Sequence, residues 1–246
     1  MGTLVSAGRL FYAIGIIAFG LEHLVHADFV TRVVPYWPAW LPGHAMWAYA
    51  VGIVLVLLGG AILTGVQARR AALLLGVVIL LSVVLLYIPL VAPALTNGGL
   101  LTNMFKAVAL CGGSFAIART LAKNKRDSVA LLWIGRVFFG SFLILAGVLH
   151  FVYRDFVATL VPVWIPGAMF WTYFAGVALF AGGVGIMIPR LSRLAATLCG
   201  AMIFTWFLIL HIPRAAAVPH SLNELTAVFE ALAMSGIAFV LAGSSE

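Results

Sequence analysis

The residues of this sequence that are able to take part in chemistry are ionisable side chains set within long apolar stretches. Six histidines and seven acidic residues are present, and imidazole is the most versatile group among them because it exchanges protons near neutral pH and ligates haem iron or metals. His150, His211 and Glu230 fall inside apolar stretches and are the candidates for a catalytic role. An ionisable group at membrane depth is costly to bury and usually faces a cavity or a partner.

A first cluster consists of Glu22, His23 and His26. Residues three and four positions apart are neighbours in a helix, so these side chains share one or two adjacent faces. A metal site would need all of them, but their spacing does not fix a third ligand, and no metal site is predicted. The two cysteines, Cys111 and Cys199, fall inside apolar stretches and form no CxxC motif, which is typical of core residues.

A second cluster combines residues near the ends of the fifth and seventh apolar stretches: His150, Tyr153, Trp206, His211 and Arg214. Three interpretations of it stay open. A bis-histidine haem would use His150 and His211 facing each other across a helix bundle. A quinone site would use a histidine, an arginine or tyrosine donor and aromatic walls, and the cluster contains all of these. In the third interpretation, the histidines only hydrogen-bond between helices and hold them together.

Lys106 and Glu230 carry opposite charges at matching positions of an internal repeat. One interpretation pairs them with each other near a pseudo-twofold axis; another pairs Lys106 with Glu22, and Glu230 with Arg214. A third, which the sequence slightly favours, extends Lys106 to the membrane interface, as long cationic side chains do. Glu230 lies further inside its helix and cannot extend as easily, so it is the stronger functional candidate. Lys106, Glu22 and His23 form a diverged counterpart of the second cluster.

Composition places these residues in a membrane. Hydrophobic residues make up 64% of the 246 residues and charged residues 9%, with a mean hydropathy of +1.17. Soluble domains carry roughly 25% charged residues, and apolar stretches of about 20 residues are long enough to cross a bilayer as helices. The net charge of +7 comes from residues between apolar stretches, as the positive-inside rule expects, so no nucleic-acid partner is predicted.

The chain consists of two copies of one repeated unit. The segment Gly8–His44 recurs as Gly135–Ala168, with an offset of 127 residues up to the Asp28-Phe29 pair and 124 residues after it. The first copy therefore contains a three-residue insertion. The first apolar stretch resembles a signal peptide, but its repeat partner lies deep in the chain, so we predict a retained helix.

The predicted fold is all-α: a polytopic membrane protein whose eight transmembrane helices form two parallel four-helix-bundle repeats. The helices are predicted at about 8–26, 45–66, 71–91, 104–121, 129–151, 168–188, 194–212 and 225–243. Residues 1–121 form the first repeat, 122–128 a cytoplasmic linker and 129–246 the second repeat. An even number of spans in each half makes the repeats parallel, related by an axis along the membrane normal.

Basic residues predict the orientation. Ten Lys and Arg side chains fall at one set of helix ends and four at the other, which places both termini in the cytoplasm. All the histidines then fall on the outer, periplasmic side of a bacterial or archaeal inner membrane. The connections after the first and fifth helices hold Trp, Pro and Phe at close spacing, including Trp40 and Trp164. We expect each connection to form a semi-buried cap over the outer mouth of its half.

Several motifs recur in both halves. The first helix contains Gly20-Leu-Glu-His23 and again Gly147-Val-Leu-His150, followed by Phe and by Pro-x-x-x-Pro; the second contains a glycine pair before an arginine turn; the third ends in His/Tyr-x-Pro. This combination resembles the DoxX-like family of small membrane proteins. Its members are typically single four-helix units, and this chain resembles two of them fused. It departs from a common family pattern at Gly52 and Gly176, where an acidic residue is expected.

The resemblance implies a membrane redox protein or oxidoreductase subunit, linked to quinone or haem, because named family members are subunits of quinone-linked oxidoreductases such as thiosulfate:quinone oxidoreductase. His150, His211 and Arg214 would form its better-equipped site, on the outer side. The expected partners are the lipid bilayer, a redox subunit and a second copy of the chain. The alternatives are a transporter of a small molecule or ion, which parallel repeats and buried charges also suit, and a non-catalytic scaffold subunit.

Overall fold

The computed structural model describes residues 2–38, 41–124 and 128–244. Helices make up nearly all of these residues, and eight are long and apolar enough to cross a membrane. In chain order the helices are α1 (Thr3–His26), α2 (His44–Thr64), α3 (Ala68–Ala94), α4 (Gly98–Thr120), α5 (Val129–Val152), the short α6 (Arg154–Leu160), α7 (Ala168–Met187), α8 (Pro189–Ala217) and α9 (Leu222–Gly243). The protein is an all-α, multi-pass membrane protein, as the sequence predicts.

The helix ends differ from the predicted ones for local reasons. The Asn97 side chain accepts a hydrogen bond from the Leu100 backbone N–H at 3.1 Å, so α4 begins at Gly98 and not near residue 104. Pro189 begins α8, because the first turn of a helix needs no acceptor for the missing proline N–H. The predicted segments are confirmed, with longer helices at several ends.

The two connections predicted as caps differ from each other. In the first half, Phe29 is buried and stacks on Trp37, with ring centroids 5.1 Å apart, so the connection is a semi-buried cap. In the second half the prediction is wrong at the loop tip, where Trp164 stays 65% exposed. The second copy is shorter and coils seven of its residues into α6, which leaves the tip projecting. Three predicted features lie outside the described residues: Trp40, Lys125 and Arg126.

Each half packs its first helix on the last helix of the other half. α1 lies against α9, and α5 lies against α4. Paired glycines allow close backbone approach at both interfaces: a β-carbon at Gly8 would lie 2.5 Å from the carbonyl oxygen of Gly236, and one at Gly135 would lie 3.0 Å from that of Gly112. The two pairs match in the repeat, so the halves interlock through equivalent contacts.

A buried tyrosine connects α1 to α4 inside the bundle. The Tyr12 hydroxyl donates to the Leu110 carbonyl oxygen at 2.8 Å and lies 2.6 Å from the Ser114 hydroxyl. The Tyr12 side chain is fully buried, and a polar group in hydrocarbon must be satisfied by protein partners. α1 is therefore an integral helix of the bundle.

Candidate functional site

The ionisable side chains gather at one end of the bundle, which we call the histidine end. It contains the C-terminal ends of α1, α3, α5 and α8 and the N-terminal ends of α2, α4, α7 and α9. All six histidines lie in this half of the protein. The basic helix ends that the sequence assigns to the cytoplasm lie at the opposite end, as far as the structure describes them.

An ion cluster joins the two halves at the histidine end. Glu230 on α9 accepts hydrogen bonds from Lys106 Nζ on α4, at 2.9 Å to Oε2 and 3.2 Å to Oε1. Arg32, in the turn after α1, donates to the same Glu230 Oε2 from Nη2 at 2.7 Å and from Nε at 3.1 Å. The Lys106 side chain is 13% exposed. Its predicted extension to the membrane interface is wrong, because the carboxylate of Glu230 lies within reach inside the bundle.

The alternative pairings from the sequence are also wrong. Arg214 pairs with Glu224, ten residues further along, with Nη2 2.6 Å from Oε1. Glu22 accepts from the Thr226 hydroxyl at 2.6 Å through Oε2, while its Oε1 is buried without a hydrogen bond among the described residues. The repeat does not predict these pairs, because the two carboxylates have apolar matches: Glu22 matches Leu149, and Glu224 matches Leu100.

Arg32 is the member of the ion cluster that sequence reasoning missed. It lies outside the helices, in the turn that follows α1, and the matching stretch of the second half, Phe156–Pro162, contains no cation. The turn holds this arginine over α9, since Asn103 on α4 donates to the neighbouring Thr31 carbonyl oxygen at 3.2 Å. The only signal in the sequence is a single cation in a connection that contains few charges.

The matching histidines of α1 and α5 share one hydrogen bond and differ in the other. His23 Nδ1 lies 2.7 Å from the Phe19 carbonyl oxygen, and His150 Nδ1 lies 2.7 Å from the Ala146 carbonyl oxygen. A carbonyl accepts only, so Nδ1 carries the proton in both, and Nε2 is left as an acceptor in the neutral ring. Val30 N–H occupies Nε2 of His23 at 3.4 Å. No described residue hydrogen-bonds to Nε2 of His150.

Matching π-helical turns hold Tyr87 and His211. The turns span Val83–Tyr87 in α3 and Phe207–His211 in α8, and each precedes an Ile-Pro pair. Proline removes a backbone donor and its ring presses on the preceding turn, and a widened turn accommodates it. Such turns occur often at functional sites. Tyr87 Oη and His211 Nδ1 are both buried without a hydrogen bond among the described residues.

His150 and His211 face one cavity of about 250 Å³, which is lined by α5, α6, α7 and α8. Trp171 and Trp206 form aromatic walls, with ring centroids 6.2 Å apart. The remaining lining is almost entirely apolar. Of the predicted cofactor-binding residues, the structure brings His150, His211 and Trp206 together here. Arg214 does not line the cavity, and Tyr153 lies with His150 on a neighbouring cleft.

An apolar groove of about 450 Å³ between α7 and α8 begins where this cavity ends, because Met202 lines both. Small residues of α7 leave the space: Ala178, Ala181 and Gly182. The matching residues of α2 are larger: Val54, Leu57 and Leu58. The space that these small residues leave is therefore filled by larger side chains at the matching positions of the first half. The sequence does not predict the groove, because a small residue alone does not indicate an open space.

The donor set determines which cofactors fit. The cavity of about 250 Å³ lies below the roughly 300–1,000 Å³ typical of pockets for drug-sized ligands, which favours a ligand smaller than a haem macrocycle. Within the described residues, no three His, Cys, Asp or Glu side chains come close enough to hold a metal ion. A single flat ring with polar edges fits the cavity better.

Comparison with known protein families gives one match, which lies in the second half of the chain. Residues 139–235 match a family described as Domain of unknown function (DUF8561). The matched region covers less than half of the chain, and it includes His150, His211 and Glu230. No curated protein and no solved structure matches the chain. The resemblance to DoxX-like proteins stays a prediction.

Proposed function

We propose that the protein is a quinone-binding membrane subunit of an oxidoreductase. The observation that supports this most directly is the aromatic-walled, largely apolar cavity that His150 and His211 share. Ligand pockets are typically apolar with a few polar groups that fix the orientation of the ligand. A quinone ring needs apolar walls for its faces and hydrogen-bonding groups for its oxygens at opposite edges.

The two imidazoles have complementary roles toward such a ring. Nδ1 of His150 is engaged with the Ala146 carbonyl, so its Nε2 lone pair accepts a hydrogen bond from a quinol hydroxyl. When a quinol is oxidised to the quinone, Nε2 of His150 would take up the proton of one hydroxyl and Nδ1 of His211 that of the other, and the two electrons would pass to a redox group on a partner subunit. His211, whose Nδ1 has no described partner, bonds the second oxygen.

The groove between α7 and α8 would accommodate the isoprenoid tail of a membrane quinone. It is apolar, and it adjoins the cavity at Met202. Exposed apolar side chains such as Phe174 and Leu198 line it. An isoprenoid chain leaving the ring would follow it along the surface of the second half. The first half has larger side chains there, which agrees with one quinone site per chain.

Fluorescence titration tests the proposal, because Trp171 and Trp206 line the cavity and quinones quench tryptophan emission. We expect saturable quenching of the detergent-purified protein by a short-chain benzoquinone. His150→Leu and His211→Leu should weaken binding at least tenfold, whereas the control His26→Leu, an exposed histidine at the same end, should not. Unsaturable quenching that is equal in all of these proteins would overturn the proposal.

The groove is tested by comparing how a groove variant and the wild type bind a long-tailed and a short-chain quinone. Ala181→Leu introduces the residue that the first half has at the matching position, Leu57, and Ala181 is exposed, so folding should be preserved. The variant should bind a long-tailed quinone several-fold more weakly and the short-chain analogue normally. Equal affinities of variant and wild type for the long-tailed quinone would remove the tail groove from the proposal.

Transport of an ion or small molecule is the second candidate, and the ion cluster favours it. Buried charges between repeats are typical of substrate and ion pathways, and Glu230 and Lys106 lie on α9 and α4, one from each half. Flux measured in proteoliposomes distinguishes the candidates. A flux lost in Glu230→Gln and retained in His150→Leu supports transport, and the reverse sensitivity of quinone binding supports the redox subunit.

A further inference from the structure

A polar cleft of about 720 Å³ opens at the histidine end between α4 and α5. Its polar lining includes Arg32, Asn97, Asn103, Lys106 and Tyr153. His150 and Val157 are the residues that line both this cleft and the cavity proposed for quinone. The cleft therefore needs an explanation of its own.

The charges of the cleft are unbalanced. Its described lining contains two cations, Arg32 and Lys106, and no carboxylate. Both cations form ion pairs with the same carboxylate, that of Glu230. The neighbouring acids do not line the cleft: Glu224 is paired with Arg214, and Glu22 bonds to Thr226. One positive charge is left over at the base of the cleft.

Unused donors point to the same conclusion. An ammonium group has three N–H donors, and Lys106 directs contacts at the two oxygens of Glu230. α4 begins in the wall of the cleft at Gly98 and Gly99, whose N–H groups have no acceptor within the helix. The first turn of a helix also favours negative charge. Gly98 is required there, since a β-carbon would lie 2.6 Å from the Tyr153 hydroxyl.

The matching cleft of the other half has carboxylates in its lining. It measures about 360 Å³ and lies between the N-terminal end of α9 and the C-terminal end of α1. Glu22 and Asp28 line it together with Arg32, which lines both clefts. In the cationic cleft Leu149 stands in place of Glu22, and Asp155, the match of Asp28, is not among the lining residues. Asn223 stands there in place of Gly99. The two clefts are formed by matching segments of the repeat, so their different charges arise from substitutions between the two halves.

We propose that the cationic cleft binds an oxyanion with phosphate chemistry, supplied either by a phospholipid headgroup or by an ion in solution. Backbone amides at a helix start together with two cations suit an anion that has several oxygens in different directions. The proposal does not depend on quinone binding, because it uses α4 and Arg32 and not the cavity walls.

Gly99→Asp is the test variant, and Gly99→Asn is its control. Position 99 is exposed, and a β-carbon there would meet only the Asn97 side chain, at 3.3 Å. Both replacements have nearly the same size, neither removes a member of the ion cluster, and aspartate suits the first turn of a helix. The variants therefore differ only by one negative charge at the mouth of the cleft.

Binding is measured on the full chain, purified and delipidated in a neutral detergent, by thermal shift and native mass spectrometry. Inorganic phosphate is compared with chloride at equal ionic strength, and short-chain phosphatidylglycerol with phosphatidylcholine. We expect binding by the wild type and Gly99→Asn, and at least tenfold weaker binding by Gly99→Asp. A response to phosphatidylglycerol alone identifies a headgroup site, and a response to phosphate alone identifies a soluble ion. No preference over chloride and phosphatidylcholine, or equal binding by the two variants, would overturn the proposal.

Discussion

Lys106 Nζ lies 2.9 Å from Glu230 Oε2, and the two residues occupy matching positions in the two halves of the chain. Two identical units related by a twofold axis would place like charges at such positions. Opposite charges are available only because the units are fused and have diverged. The ion pair between α4 and α9 is therefore a property of the fused chain, and Arg32, which has no cationic match in the second half, completes it.

Replacing Glu230 by glutamine tests the energetic importance of the ion cluster. The change leaves Lys106 and Arg32 partly buried without their carboxylate, and we expect a loss of about 3 kcal/mol in the free energy of unfolding. Thermal unfolding of the detergent-purified protein measures it. Glu224→Gln is the control, because its partner Arg214 is 32% exposed and the loss should be about 1 kcal/mol or less. Equal losses in the two variants would contradict this account of the cluster.

Neighbouring glycines in α2 test the packing of the first half. A β-carbon at Gly59 would lie 2.8 Å from Ile17 Cγ1, whereas one at Gly60 would have nothing within 4 Å. We expect Gly59→Leu to destabilise the protein by at least about 1–3 kcal/mol through overpacking, with a lower yield of monodisperse protein in size-exclusion chromatography. Gly60→Leu should leave yield and unfolding temperature unchanged. A similar effect of both variants would mean that α1 does not approach α2 at this face.

The matching histidines are expected to respond differently to the same replacement. His23 is fully buried and bonds to both the Phe19 carbonyl and the Val30 N–H. His23→Leu leaves that N–H without its acceptor, at a cost of about 1–3 kcal/mol. His150→Leu removes a group whose Nε2 has no described partner, so the unfolding temperature should fall much less. If His150→Leu destabilised the protein as strongly, His150 would have a structural role like that of His23.

Reporter fusions test the orientation predicted from the basic residues. A fluorescent protein that matures only in the cytoplasm should be active after residue 244. Alkaline phosphatase, which is active only outside, should be active in the connection between α3 and α4. The physical reason is that Lys and Arg near short loops resist translocation. The opposite activities would place the histidine end in the cytoplasm.

Much of the fold follows from the sequence because its signals are local. Apolar length predicts each spanning helix, and the repeat predicts that Gly8 and Gly135 have equivalent surroundings. The helix ends were less predictable, since Asn97 caps α4 through a hydrogen bond that composition does not reveal. The π-helical turns at Tyr87 and His211 were missed as well, although the proline that follows each was visible.

The candidate site was predicted in part. The sequence predicts His150, His211 and Trp206 as cofactor-binding residues, and these three face one cavity. The same prediction includes Arg214, which pairs instead with Glu224, ten residues further along the chain. Trp171 and Met202 were missed, since an aromatic or methionine residue in an apolar helix carries no sign of what it lines.

The sequence by itself determined the helices, the repeat and the residues able to do chemistry, because hydrophobic length and residue type are properties of short segments. Only the tertiary structure decided which of those residues meet. Glu230 takes its partners from α4 and from the turn after α1, 124 and 198 residues away. Pairing at such separations depends on how helices from the two halves pack, and a periodic pattern within one helix contains no information about its neighbour.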